Sequence, residues 1–182
     1  MKTDLSTYNN SWYRPGSPVK RFFWHFANNI FLNSGIFPFY GLKIFLLKAF
    51  GARVGHGVII KPFVNIKYPW FLSIGNYVWI GENVWIDNLT EVTIGNNACL
   101  SQGALLLTGN HNYTKSTFDL SVNSIRLEDG VWIGAKAIVC PGVCCKSHSV
   151  LAVGSIATTD LEPFGIYSGN PAEKIKTRTI HQ

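Results

Sequence analysis

An aliphatic side chain recurs every six residues through most of this chain, and no other feature restricts its fold as strongly. The series runs Val54, Ile60, Ile66, then Ile74, Ile80, Ile86, then Ile94, Leu100, Leu106. After a break it resumes at Leu127 and continues through Ile133, Val139, Cys145, Leu151 and Ala157 without a slip. Four residues after many of these stands a smaller or neutral one: Val58, Val64, Val78, Val84, Ala98, Ala104, Val131, Ala137, Val143, Ser149 and Ser155. A period of six fits neither a helix, which repeats at about 3.6, nor an alternating strand, which repeats at about 2. It fits short strands joined by tight corners, three to a coil of about 18 residues, with coils stacked about 4.8 Å apart. Each aliphatic side chain then points inward, and the smaller residue fills a corner. Glycine often follows the aliphatic position directly (Gly75, Gly81, Gly95, Gly134), where it is expected to permit the turn. A β-sandwich would need fifteen positions to fall in phase by coincidence, so the expected class is all-β, a parallel β-helix.

The interruptions come next, because solenoids carry function where a coil is broken. Steps of eight, from Ile66 to Ile74 and from Ile86 to Ile94, each add two residues, and the second contains Asp87 and Asn88. Between Leu106 and Leu127 the step is 21, and the polar run TGNHNYTKSTFDLSVNS reads as a loop over about residues 108–124 that carries His111. Three regions follow: an arm and apolar cap at 1–50, the β-helix at 51–162, and a C-terminal loop and tail at 163–182.

Residues 20–50 differ from the rest. No charged residue occurs between Arg21 and Lys43, yet eight of those 21 residues are His, Asn, Ser, Gly or Pro. Asn28, Asn29 and Asn33 would lie at membrane depth, so a spanning helix is a poor reading. Two short helices broken near Gly35–Pro38, capping one end of the β-helix, fit better. Contact with a membrane surface is a second role for the same segment.

A polar start in place of an apolar leader makes a cytoplasmic location the expectation. Cys99, Cys140, Cys144 and Cys145 then read as reduced packing residues. The net charge of +6 favours nucleic acid, an anionic membrane or a polyphosphate cofactor, and does not choose among them.

The runs IGNYVWIGENVWI and VWIGAKAIVCPGV resemble the hexapeptide-repeat, left-handed β-helix acyltransferases. NSWYRPGSPVKRFFW, WIDNLTEVTIGNNACLSQGALLLTGNHNY and SGNPAEKIK are similar to the WcaF-like O-acetyltransferases of polysaccharide biosynthesis. The likeness implies left-handed coils, a homotrimer and acetyl-CoA as acyl donor, with no role for nucleic acid or metal. It also implies a sugar acceptor, free or lipid-linked. Acetyl transfer to a hydroxyl needs a base, oxyanion donors and a grip on the cofactor. His111 is the base by position, and the resemblance places it in a matching context, Gly109-Asn110-His111-Asn112-Tyr113. Relatives often carry Asp where this chain has Asn112, so another group is expected to orient the imidazole.

Asp87 and Asn88 match the family's acceptor region, and equally read as a turn at a bulge. For the cofactor the resemblance points to Trp132, Gly134, Ala135, Ala152, Val153, Gly154, Thr158 and Thr159, with the Ala135 amide at the thioester carbonyl. Lys174, Lys176 and Arg178 follow as contacts for phosphates, or as a solvated tail. No nucleophile neighbours His111 in sequence, Cys99 being the one doubtful case, so direct transfer is expected. Three rival readings stand beside this one. They are an acyltransferase for serine or an antibiotic, a zinc carbonic anhydrase on the same fold, and a non-catalytic solenoid. The spread of the histidines argues against the second, and the lack of threonine arrays against the third.

Overall fold

The computed structural model describes residues 2–181. From Arg53 onward the chain winds into a three-sided parallel β-helix of five complete coils. Its first face is built from Arg53–Val54, Leu72–Ile74, Val92–Ile94, Ile125–Leu127 and Cys144–Cys145. The second carries Ile59–Ile60, Trp79–Ile80, Cys99–Leu100, Trp132–Ile133 and Val150–Leu151. The third carries Asn65–Ile66, Trp85–Asp87, Leu105–Leu107, Ile138–Val139 and Ile156–Ala157. Register runs straight up each face: Ile60, Ile80, Leu100, Ile133 and Leu151 stack in one column, and Ile66, Ile86, Leu106, Val139 and Ala157 in another. All the hexad positions and all the smaller corner residues are buried, Ser149 and Ser155 included. The period of six is therefore the spacing of one inward side chain per face.

The glycines after the aliphatic positions serve a purpose other than the expected one. Gly134 does not have a left-handed backbone. A Cβ there would instead come within 2.7–2.8 Å of the backbone of Leu151, Ala152 and Val153 in the next coil. Glycine is needed for clearance between coils. The left-handed residues lie two positions further on, at Gly57, Phe63, Tyr77, Asn83, Asn97, Gly103, Gly130, Lys136, Gly142, His148 and Gly154. Six of those eleven are not glycine, so stacking on the neighbouring coils must offset their local strain.

The first coil has no coil beneath it, which leaves strand carbonyls unpaired. The helices α1 (Pro18–Ala27) and α2 (Tyr40–Ala49), with a π-helical turn at Asn28–Leu32 between them, cover that end. Trp24, Leu32 and Leu47 are buried against the coil. Trp24 Nε1 donates to the Ile66 carbonyl at 2.8 Å. Asn28 accepts from the Ile66 amide at 3.2 Å and donates to Asn65 Oδ1 at 2.8 Å. The fully buried Lys43 ammonium donates to the carbonyls of Lys61 at 2.9 Å and Ile60 at 3.3 Å. Burial pushes its pKa below the usual lysine value. Among the described residues no helix is long and apolar enough to cross a membrane.

The C-terminal segment departs from the loop and tail expected for it. Gly165–Gly169 adds in parallel to the second face beside Val150–Leu151, and Ala172–Thr177 folds back antiparallel upon it. The last coil would otherwise present an open edge, and this hairpin covers it.

Candidate active site

All three interruptions of the repeat fall on one edge of the prism, where the third face turns into the first. The step after Ile66 forms Tyr68–Phe71, the step after Ile86 forms Asp87–Glu91, and the long break becomes the hairpin Gly109–His111/Leu120–Val122. Thr108, fully buried, ties two of them together. Its hydroxyl donates to the Asp87 carbonyl at 2.9 Å and accepts from the Leu89 amide at 2.8 Å.

His111 ends the outgoing strand of the hairpin and is half-buried. Its Nδ1 lies 2.9 Å from the Phe118 carbonyl oxygen. A carbonyl only accepts, so Nδ1 carries the hydrogen and the Nε2 lone pair is left free. The ring stacks on Phe118 with centroids 4.4 Å apart and an interplanar angle of 7°. Phe118 itself has φ 51°, a left-handed conformation that turns its carbonyl toward the histidine. The orienting group is therefore a backbone carbonyl.

Asn112, the position at which the resemblance led to an expectation of Asp, is exposed and engaged elsewhere. Its Oδ1 accepts from the Thr114 hydroxyl at 2.7 Å and the Thr114 amide at 3.1 Å, closing a local turn. Asn112→Asp preserves that acceptor, and kcat should stay within about threefold of wild type in a steady-state assay.

One part of the site escaped the sequence reading. The N-terminal arm folds along the hairpin: the Asp4 amide donates to the Ser116 carbonyl at 2.9 Å, and Tyr8 lies 5.9 Å from the His111 ring. Tyr13 donates its hydroxyl to the Leu89 carbonyl at 2.6 Å, and burial pushes its pKa up. Asn9, Ser11 and Trp12 of the arm face Asn112, Lys115 and Asp119 across a cleft of about 420 Å³. The available signal was the resemblance of NSWYRPGSPVKRFFW itself, which carried no role.

Asp87 and Asn88 are both buried. Lys67 Nζ stands 3.0 Å from Asp87 Oδ1. It lies off the line of a good hydrogen bond, so that buried oxygen has a countercharge and no aligned donor. Asn88 is turned inward, accepting from the Tyr68 amide at 3.0 Å and donating to the Tyr68 carbonyl at 2.6 Å. Its amide holds the bulge, and this takes it out of direct reach of an acceptor.

The expected cofactor residues form two groups. Gly134 and Ala135 sit directly beneath Ala152, Val153 and Gly154 at the edge between the second and third faces, where the Gly154 amide donates to the Ala135 carbonyl at 2.9 Å. Thr158 and Thr159 are exposed on the other edge, above the hairpin. Trp132 is exposed on the second face, its indole donating to Ser101 Oγ at 2.9 Å. Lys174 and Lys176 lie exposed on the last strand. Arg178, by contrast, donates to the carbonyls of Gly130 and His148 at 2.9 and 3.3 Å, so its guanidinium is a structural clamp. Cys99 is on the second face, away from the hairpin edge, and burial raises its thiol pKa. Neither property suits a nucleophile paired with His111. The third face, six residues wide and so at most about 20 Å, separates His111 from Ala135 within one chain.

No family model matches the chain. It is 34% identical over 167 residues, 91% of each chain, to a protein of Escherichia coli (strain K12) named as a colanic acid biosynthesis acetyltransferase, WcaF. It is 30% identical over 134 residues to the galactoside O-acetyltransferase of the same organism, covering 72% of this chain and 66% of that one. Among solved structures, a galactoside acetyltransferase in complex with coenzyme A superposes with a TM-score of 0.78 at 26% identity, covering 88% of this chain and 81% of that one. A hexapeptide-repeat acetyltransferase from Vibrio cholerae superposes at 0.79 over 87% of this chain and 90% of that one, with 22% identity. The repeat, the coil and this similarity over nearly its whole length agree: the chain belongs to the hexapeptide-repeat acetyltransferases, left-handed β-helix enzymes that use acetyl-CoA.

Proposed function

We propose that this enzyme is an O-acetyltransferase for a sugar or polysaccharide precursor, with His111 as general base and direct transfer from acetyl-CoA. The observation that carries the reading is the Nδ1 contact to the Phe118 carbonyl, which leaves the Nε2 lone pair free to accept a proton. In the step, Nε2 takes the proton of the acceptor hydroxyl as its oxygen attacks the thioester carbonyl. The Ala135 amide stabilises the oxyanion. The tetrahedral intermediate collapses, breaking the carbon–sulfur bond, and the imidazolium returns its proton to the departing coenzyme A thiolate. Asp87 accepts from an acceptor hydroxyl, and Asn88 positions it by holding the bulge. A family relative named as a galactoside O-acetyltransferase supports the sugar class.

The reading includes a homotrimer in the cytoplasm. One chain carries the base and the oxyanion donor on opposite edges of a face, so a neighbouring copy would complete each site. Trp79, Trp85, Trp132 and Val153 are exposed on the sides of the prism and need such cover. Light scattering at micromolar concentration should return the mass of three chains; a monomer would remove the shared site.

The cofactor grip predicts a split in kinetics. Replacing Lys174 and Lys176 with alanine should raise the KM for acetyl-CoA by roughly tenfold with kcat within about twofold, the signature of uniform binding. An unchanged KM would demote both to surface residues.

The function itself is tested by acetyl-CoA turnover against free, nucleotide-linked and lipid-linked sugars, with serine and an antibiotic alcohol alongside. Turnover confined to the last two would overturn the sugar reading.

A further inference from the structure

Helix α1 buries Trp24 on the coil and turns a second apolar face to solvent. Val19, Phe22, Phe23, Phe26 and Ile30 recur at helical spacing and are 47–65% exposed. Phe22 contacts Phe23 and Phe26 edge-on at the surface, with centroids 5.6 and 5.0 Å apart. Ile36, Phe39 and Phe45 of the same capping segment are also exposed. The polar positions Arg21, His25 and Asn29 turn instead toward a groove of about 370 Å³, against Lys67 and Tyr68. Arg21 Nε is buried there with no hydrogen-bond partner among the described residues.

Charge is distributed just as unevenly. Between residues 5 and 81 the chain has eight Lys and Arg and no Asp or Glu, while the remainder has eight against ten. The whole positive excess therefore lies on the arm, the cap and the first two coils, with only Arg14 of these eight on the arm. Lys43 is buried and Lys67 pairs with Asp87, but Lys20, Arg21, Lys48, Arg53 and Lys61 have no carboxylate partner among the described residues. An apolar stripe of phenylalanines beside these cations is complementary to an anionic bilayer: rings at the acyl boundary, cations among the phosphates. A protein partner of ordinary composition matches the apolar stripe but not the one-signed rim.

We propose that the cap docks on the surface of an anionic phospholipid leaflet through Phe22, Phe23 and Phe26, with the Arg21 groove receiving a lipid phosphate. A cyclic trimer with its prisms side by side, which rests on the assembly proposed above, would bring three such caps to one end. That end would then bind multivalently.

The test is co-sedimentation of the full chain with vesicles of phosphatidylcholine alone or doped with phosphatidylglycerol. Wild type should pellet with the anionic vesicles, release as salt rises, and ignore the zwitterionic ones. The triple variant F22S/F23S/F26S should bind on the order of 100-fold more weakly, since each removes a large apolar surface. Phe23→Glu, a single exposed change, should weaken binding similarly and covers the case in which the triple variant misfolds. Both should keep wild-type turnover on a soluble acceptor, so a failure of docking is distinguishable from a failure of catalysis. Wild type that stays in the supernatant would overturn the proposal, as would pelleting unaffected by Phe23→Glu. So would variants whose only change is a smaller assembly, which would make the patch a contact between copies.

Discussion

His111→Ala is expected to lower kcat by roughly 10²–10⁴, the range typical of a lost general base. The KM for acetyl-CoA should barely move, because the proposed cofactor grip lies at the other edge of the third face and on the last strand. His111→Asn should do no better than alanine, since it retains polarity without a basic nitrogen. The geometry sharpens the claim further. Nδ1 is committed to the Phe118 carbonyl, so the proton must arrive at Nε2. The stacked Phe118 ring limits how far the imidazole can swing. Phe118→Gly keeps the carbonyl and relieves its left-handed φ but removes the stacking partner. It should therefore reduce kcat less than His111→Ala does, because the basic nitrogen and its carbonyl partner both remain. An alanine variant within a few-fold of wild type would sink the base assignment and leave the fold untouched.

Trp24→Ala carries the largest expected loss of stability. Its indole is buried between the cap and the first coil, packs on Phe50 at 5.1 Å between centroids, and donates to the Ile66 carbonyl. Truncation should cost about 3–5 kcal/mol, the usual range for a buried tryptophan. That is a large part of the roughly 5–15 kcal/mol by which a domain is stable. It also strands a carbonyl on an edge with no coil beneath. Trp24→Phe separates the two contributions, because it keeps most of the bulk and loses only the donor, at about 1–3 kcal/mol. Urea denaturation followed by circular dichroism measures both. A Trp24→Ala unfolding free energy within about 0.5 kcal/mol of wild type would show that the β-helix does not need this contact with its cap.

The rungs were legible because each makes the same contact as the one below it. Ile60, Ile80 and Leu100 meet identical surroundings one coil apart, so identical chemistry recurs at a fixed step. The breaks in the repeat were legible for the complementary reason, and His111 stood in the longest of them. Residues whose roles depend on a neighbour from another coil were read less well. Gly134 was expected to make a turn, and the backbone of Leu151–Val153 above it is what excludes a side chain. Arg178 was expected at a phosphate or in a solvated tail, yet two carbonyls from different corners, Gly130 and His148, hold it. Asn88 was read both as an acceptor contact and as a turn at a bulge, and the backbone of Tyr68 one coil below, which takes its amide, favours the second.

By itself the sequence determined the coil, its core and the edge on which its interruptions gather, because a solenoid converts spacing along the chain directly into position in space. Only the tertiary structure decided which nitrogen of His111 is free and that a carbonyl rather than residue 112 orients it. It alone brought the N-terminal arm beside the hairpin, through Tyr8 and the Asp4–Ser116 contact. Those pairings join segments with no common period. Their partners are chosen by unsatisfied donors and acceptors that exist only once the coil has formed.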